Sequence, residues 1–336
     1  MDKNGLIMLG HGSGGTLSHD LLQELIFPHF SNPILEQTDD AALFKLNGTA
    51  AFTTDSFVVN PLFFPGGDIG KLSVCGTVND LAMMGAEPLY ITAACVIEEG
   101  LPIRTLEKII VSMAQTARNA GVRIVGGDLK VVEKGAADGI FITTSGIGIV
   151  PKQVHISANN ARPGDSVLIN GAIGEHAAAV MASRQDYKIS CTAKSDCAAL
   201  NGLVKDMLAA SKNIRVLRDP TRGGVATTLN EICRQSKVDI ELDEEALLVP
   251  QSVRGLSELL GIDPLYMANE GKVLVCVPEA DEKKVLRAMQ KHPLGRKGSV
   301  IGKVSATSNP LLTMKTAIGS TRVVSMLTSE QLSRIC

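Results

Sequence analysis

Asp80 lies in a helical stretch that gives it no charged company. From Leu72 to Ala86 the chain reads LSVCGTVNDLAMMGA, and Asp80 is its only charged residue. Val74, Val78, Leu81, Ala82 and Gly85 recur at helical spacing on one face. The other face carries Gly76, Met83 and Met84, where a solvated surface would carry several charges. An isolated carboxylate between two apolar faces is too costly to keep, so it must meet a basic partner or a cation. A functional acid and a structural ion pair both meet that requirement.

Three more acids share a setting. Asp40 in TDDAALF, Asp55 in TTDSF and Asp128 in VGGDLK each sit at the edge of a strand-like run beside small residues. Carboxylates gathered at strand ends, with glycines allowing close backbone approach, suit Mg²⁺ bridging the oxygens of a polyphosphate. Taken singly, each also fits ordinary turn chemistry. In GHGSGGT the backbone N–H groups of Gly12, Ser13, Gly14 and Gly15 can wrap a phosphate. The Lys-Ser/Thr pair of a P-loop is missing, and a flexible linker is the alternative; His11 is either a phosphate contact or an exposed imidazole. In RDPTRGGVAT, Arg222 and the amides of Gly223 and Gly224 precede a helix N-terminus, as an anion loop or as a plain strand-to-helix turn.

The elements that must position these residues follow from periodicity. TAAFTTDSFVV alternates as a strand, KLSVCGTVNDLAMMGA is helical and PLYITAACVIE is extended. PIRTLEKIIVSMAQTARNAG is a helix closed by Gly121, and VRIVGG and GIFITTSGIGIV are strands. NNARPGD carries the turn chemistry of a boundary near residue 155. The second half again mixes strands (DSVLIN, IRVLRD, VDIEL, GKVLVCV, SVIGKV and two closing strands) with helices from Gly174, through CAALNGLVKDMLAAS, after RGG and through EKKVLRAMQ. The expectation is an α+β chain of two domains, 1–154 and 155–327, followed by a tail, 328–336.

Composition narrows the function. With 336 residues, 45% hydrophobic, 20% charged and a net charge of −2, the chain has no electrostatic footprint for nucleic acid or an anionic membrane. No apolar run approaches the roughly 20 residues that span a bilayer. Seven cysteines and an N-terminus without signal character place it in the reducing cytoplasm. Cys75, Cys95, Cys233 and Cys276 lie in apolar runs and read as core residues; Cys191 and Cys197, spaced C-x5-C, are a weak zinc signal. Cys336 ends the chain as RIC. Thr328 to Cys336 can extend roughly 30 Å at most, enough to carry a tethered group between two sites. Arg334 favours its thiolate and the terminal carboxylate opposes it.

HGSGG, TDSFVVNPLFFPGGDIGKLSVCGTVNDLAMMGA, GGDLKVV, DPTRGGVAT, NEGKVLVCV and the terminal RIC, in this order, resemble the HypE family of hydrogenase maturation factors. That family is a branch of the aminoimidazole ribonucleotide synthetase (PurM-like) superfamily. The resemblance covers essentially the whole chain; where the family often has Thr in GGDTK, this chain has Leu129, with Asp128 and Lys130 kept. It implies a homodimer whose N-terminal sheets pair into a central β-barrel, a C-terminal α/β sandwich domain and a mobile tail. It further implies ATP-dependent dehydration of an S-carbamoyl group on Cys336 to a thiocyanate, the source of the cyanide ligands on the iron of [NiFe] hydrogenase. The carbamoyltransferase HypF loads the cysteine and a HypC–HypD scaffold receives the cyanide. Asp40, Asp55, Asp80 and Asp128 are then expected at Mg²⁺ and ATP, with Glu270 in NEG and Lys130 as the groups that deprotonate the carbamoyl nitrogen. Selenophosphate synthetases and thiamine-phosphate kinases share the nucleotide chemistry. The first expects a Cys or selenocysteine ahead of the glycine-rich segment, where this chain has none, and the second gives Cys336 no role.

Overall fold

The structure, a computed structural model, describes residues 5–13, 16–37, 41–42, 44–184, 191–307, 309–328 and 332–336. Its first sheet is organised by β1 (Thr49–Phe57), whose odd-numbered residues from Ala51 to Phe57 turn inward while Phe52 is 72% exposed on the other face. This is the period of two that a half-buried strand requires. After β1 come a two-residue ribbon, β2 (Phe63–Phe64) with β3 (Gly67–Asp68), then α3 (Ile69–Met83), β4 (Glu87–Glu98), α4 (Ile103–Ala120), β5 (Arg123–Val132) and β6 (Ile140–Val150). Two short helices precede them, α1 (Thr16–Asp20) and α2 (Phe27–Phe30). The sheet order is β1-β6-β4-β5, antiparallel except for the parallel β4–β5 pair, which α4 connects.

Helix α3 is set by its cap. The Asp68 carboxylate accepts the N–H groups of Gly70 and Lys71 at 2.8 and 3.1 Å. It starts three residues earlier than its apolar spacing suggests and is buried along nearly its whole length, wedged against β1, β6 and α4. Gly70 is the point of closest approach: a Cβ there would lie 2.3 Å from the Ile109 carbonyl oxygen of α4. Helix α4 ends on Gly121, whose φ of 73° is left-handed backbone that glycine adopts freely.

The second half forms a seven-stranded sheet. In chain order it comprises β7 (Asp165–Ile169), α5 (Glu175–Ala182), α6 (Asn201–Ala210), β8 (Val216–Arg218), α7 (Gly224–Ser236), β9 (Val238–Asp243), α8 (Gln251–Leu260), β10 (Leu274–Pro278), α9 (Glu279–Lys291), β11 (Ser299–Ala306), β12 (Leu312–Lys315) and β13 (Thr321–Val323). The strand order is β13-β12-β9-β11-β7-β10-β8. Alternate residues feed two cores: Val167, Ile169, Leu274 and Cys276 pack with α7, and Leu168, Val275 and Val277 with α6 and α9.

The halves interlock through α3. Ala82 and Met83 join the α6/α9 core. The buried Asn79 side chain donates to the Ala198 and Glu270 carbonyls at 3.1 and 3.3 Å and accepts from the Leu200 N–H at 2.8 Å. The helix expected through CAALNG begins only at Asn201, because Asn79 takes the preceding backbone for itself.

Candidate active site

Two residues on β1 face two on α3. Thr53 and Asp55 share the inner face of β1, and Gly76 and Asp80 lie one helical turn apart on α3. The Thr53 hydroxyl donates to Asp80 at 2.8 Å, and an added Cβ at Gly76 would come within 3.5 Å of the Asp55 carboxylate. Glycine at 76 is what lets the Phe57 ring of β1, 2.8 Å from such a Cβ, lie against the helix beside Asp55. Burial raises the pKa of Asp55, opposed by the Ser56 N–H and by Arg222. Burial also raises Asp80, with Thr53 opposing and Asp55 adding to the rise.

A third acid, unforeseen from the sequence, completes this group. Asp219 follows β8 in the loop to α7, and burial together with Asp80 pushes its pKa up to about 7. Its place just beyond a strand end is the one expected of Asp55 and Asp128, which the structure instead sets inside β1 and β5. Among the described residues no three His, Cys, Asp or Glu side chains stand close enough to hold a metal alone. Mg²⁺, however, normally takes one or two carboxylates and completes its shell with phosphate and water. Mutually repelling carboxylates that hold their protons too long fit such a cation.

Glu270 is buried beside this group, where Asp219 and Asp55 act on its carboxyl. It is 3% exposed, and its Oε1 has no hydrogen-bond partner among the described residues. Burial, then Asp219, Asp196 and Asp55, holds its pKa well above the ordinary carboxyl range. Its backbone N–H donates to Asp196 at 3.1 Å, and Asp196 in turn pairs with Lys272 at 2.9 Å. Below it the Cys197 thiol shares a hydrogen bond with Cys75, which together with burial keeps that thiol protonated. Cys197 therefore shows no sign of the zinc role that its spacing to Cys191 weakly suggests.

Cys336 lies within the electrostatic reach of Glu270. Residues 332–336 are docked: the Val58 N–H donates to the Cys336 carbonyl at 3.1 Å and the Asn60 N–H to the Arg334 carbonyl at 3.2 Å. Burial and Glu270 push the Cys336 thiol up to about 12, against the pull of Arg222. Arg334, expected to favour the thiolate, is instead occupied with Asp138 and the Val58 carbonyl. Residues 329–331 of the expected tail lie outside the described residues.

The remaining expected residues gather elsewhere. His11, Gly12 and Ser13 line a cavity of about 780 Å³ together with Asp128 and Lys130 of β5. Lys130 bonds both Asp128 carboxylate oxygens at 2.7 Å, which, ahead of other causes, holds that acid below its usual range. Asp128 pairs with Ala94 on β4, while Asp55 pairs with Thr144 on β6. Three strand intervals, about 14 Å, separate β1 from β5 in one chain. Asp55 and Asp80 are thus brought together, Asp128 stands apart with Lys130, and Asp40, Gly14 and Gly15 lie outside the described residues.

Comparison with known proteins gives a consistent picture. The models of the AIR synthase related protein match in both parts, the N-terminal domain over residues 38–150 and the C-terminal domain over residues 162–315. The chain is 51% identical to carbamoyl dehydratase HypE of Cupriavidus necator, over 99% of this chain and 96% of that one. It is 41% identical to carbamoyl dehydratase HypE of Escherichia coli K12, over 98% and 99%. Among solved structures, hydrogenase maturation protein HypE in complex with ATP superposes with a TM-score of 0.94 at 46% identity, covering 98% of this chain and 99% of that one. The HypE chain of a HypE–HypF complex gives 0.81 at 50% identity, covering 91% and 99%. Thiamine monophosphate kinase of Aquifex aeolicus, 19% identical with a TM-score of 0.60 over 81% of this chain and 88% of that one, shares the fold alone.

Proposed function

The chain belongs to the AIR synthase related family and, within it, to the HypE carbamoyl dehydratases, and from that membership we propose that it converts an S-carbamoyl group on its own Cys336 to a thiocyanate at the expense of ATP. The observation that carries this reading is the seat of Cys336: its segment is hydrogen-bonded to Val58, Asn60 and His176, and its thiol lies within the electrostatic reach of Glu270, Arg222 and Asp55.

The chemistry needs what stands there. A carbamoyl oxygen leaves poorly, so it attacks the γ-phosphorus of ATP and becomes a phosphate ester as ADP departs. The ester then expels phosphate while the nitrogen gives up its protons, leaving S–C≡N. Arg222 sits where phosphate charge develops, and Asp55 and Asp80 are the carboxylates that would hold Mg²⁺, which supplies charge neutralisation on the phosphates. Glu270 takes a nitrogen proton. Burial and then the neighbouring acids raise its pKa; positive charge beside Asp55 and Asp219 offsets the second of these causes and favours the base form.

Gly12 and Ser13, with the adjoining Gly14 and Gly15, are assigned to the triphosphate, and Asp128 and Lys130 to the same nucleotide region. Lys130, held by Asp128, serves phosphate rather than the carbamoyl nitrogen of its own chain. Asp40 completes the expected metal set. β1 is an edge strand carrying the exposed Phe52, which favours a homodimer closed along β1 into a barrel. Domains 1–154 and 155–327, release of segment 328–336 to HypF for loading, delivery of cyanide to a HypC–HypD complex for [NiFe] hydrogenase iron, and action in the cytoplasm complete the proposal.

A kinase reading leaves the seated cysteine without work. The two part on one assay: ATP hydrolysis by carbamoylated protein is expected to fall at least about tenfold in Cys336→Ala or without the carbamoyl group. Equal hydrolysis in all cases would favour phosphoryl transfer to an external acceptor.

A further inference from the structure

Three consecutive carbonyls, those of Arg334, Ile335 and Cys336, are clasped by the segment after β1 and by residues at and beyond α5. The Arg334 carbonyl accepts from the Asn60 N–H at 3.2 Å and from Arg184 at 3.0 Å, and the Cys336 carbonyl accepts from the Val58 N–H at 3.1 Å. Between them the Ile335 carbonyl lies 2.7 Å from Nε2 of His176, a fully buried residue of α5. A carbonyl oxygen can only accept, so Nε2 carries the proton. Burial holds the His176 pKa below its usual value, against Asp196, so the ring is neutral and Nδ1 is an acceptor. Nδ1 lies 2.8 Å from the Ser195 hydroxyl, which must therefore donate to it, and the serine oxygen accepts the Cys197 N–H at 3.0 Å. The Ser195 N–H is itself anchored on the Pro65 carbonyl at 2.7 Å. The ring's tautomer is thus dictated by a chain of bonds starting in the backbone next to the buried thiols.

The clasped segment is not relaxed on its own. Arg334 has a φ of 48°, a left-handed conformation that a non-glycine side chain rarely adopts and that persists only where the surroundings enforce it.

We propose that His176, with its tautomer set by Ser195, is a positioning residue that reads the Ile335 carbonyl and holds Sγ of Cys336 over Glu270 for the dehydration step. The inference rests on the dehydratase reading above for its purpose, and on the hydrogen bonds alone for the docking itself. Because the contacts are made to backbone, they hold the arm in one register whether Cys336 carries a thiol, a carbamoyl group or a nitrile.

Docking and chemistry are separable by experiment on the full-length protein. Alkylation of Cys336 by iodoacetamide, followed by peptide mass mapping so that Cys191 is counted apart, reports exposure without any nucleotide. His176→Leu is expected to speed it about tenfold, the equilibrium value of one buried hydrogen bond, and His176→Gln, which keeps a donor, to stay within about threefold of the parent. Circular dichroism checks that each variant folds; should His176→Leu fail, Ser195→Ala decides, with an expected rise of about threefold. In single turnover of carbamoylated protein with ATP, loss of water is expected to slow in His176→Leu and to recover in His176→Gln. Unchanged alkylation in the leucine variant, or in Ser195→Ala if that variant must decide, overturns the docking role even if the parent dehydrates normally. Faster alkylation with an unaltered rate of water loss overturns the positioning role. Faster alkylation in a protein whose parent form never loses water leaves the clasp standing and overturns the dehydratase reading.

Discussion

Glu270 is a carboxyl group surrounded by carboxylates, and that setting has a thermodynamic signature. The unfolded chain releases this proton near 4.5 while the folded chain retains it far higher. Above 4.5 the folded state therefore binds more protons than the unfolded one, and stability contributed at this position falls as pH rises towards the folded pKa. In protein free of nucleotide and divalent cations, Glu270→Gln is expected to become progressively more stable than its parent as pH rises above about 4.5 towards the folded pKa, at up to about 1.4 kcal/mol per pH unit. Urea unfolding at several pH values measures this, and a difference that does not vary with pH would contradict it. Residue chemistry was the most legible level of the sequence: a lone acid in an apolar helix marked Asp80, and strand-end position marked Asp55. Asp219, just beyond a strand end, was not foreseen, and nothing local distinguishes the Asp128 locus from the Asp55 locus, because strand order decides which acids meet.

Helix α3 is the element on which the site is built. It presents Gly76 and Asp80 to β1, Asn79 to the loop before α6, Cys75 to Cys197 and Gly70 to α4. Such a helix is apolar on every side, so its amphipathic reading was incomplete: the face opposite the first core meets the second half of the chain, not water. Its tight seat yields a packing prediction. Gly70→Ala places a methyl 2.3 Å from the Ile109 carbonyl oxygen and is expected to destabilise the protein by about 1–3 kcal/mol despite the better helix propensity of alanine. Thermal or urea unfolding checks it, and unaltered or higher stability would show that α4 yields without cost. Strands and helices of the first half follow their periodicity closely. The start of α6 does not, since an asparagine distant in sequence captures the backbone of Ala198 and Leu200, a tertiary effect no window of neighbours contains.

At the scale of the whole molecule, both halves contribute to one group of acids, Asp55 and Asp80 from β1 and α3, and Asp219 and Glu270 from the second half. A two-part organisation was legible in the sequence, and the family models match in two parts, but the seat of segment 332–336 was not legible. That seat is made by the backbone N–H groups of Val58 and Asn60 and by a histidine and an arginine whose own neighbours in sequence give no sign of it. The segment expected to travel is instead found at home, and travel enters the account as the step that lets a transferase reach Cys336. The most direct measurement follows the mass of the intact protein, and of its last peptide, during incubation with HypF, carbamoyl phosphate and ATP. The account predicts gain of one carbamoyl group on Cys336 followed by loss of one water from the same residue, with the second event absent when ATP is replaced by a non-hydrolysable analogue after loading. A carbamoyl adduct that persists unchanged in the presence of ATP, or water lost from a residue other than Cys336, would contradict it.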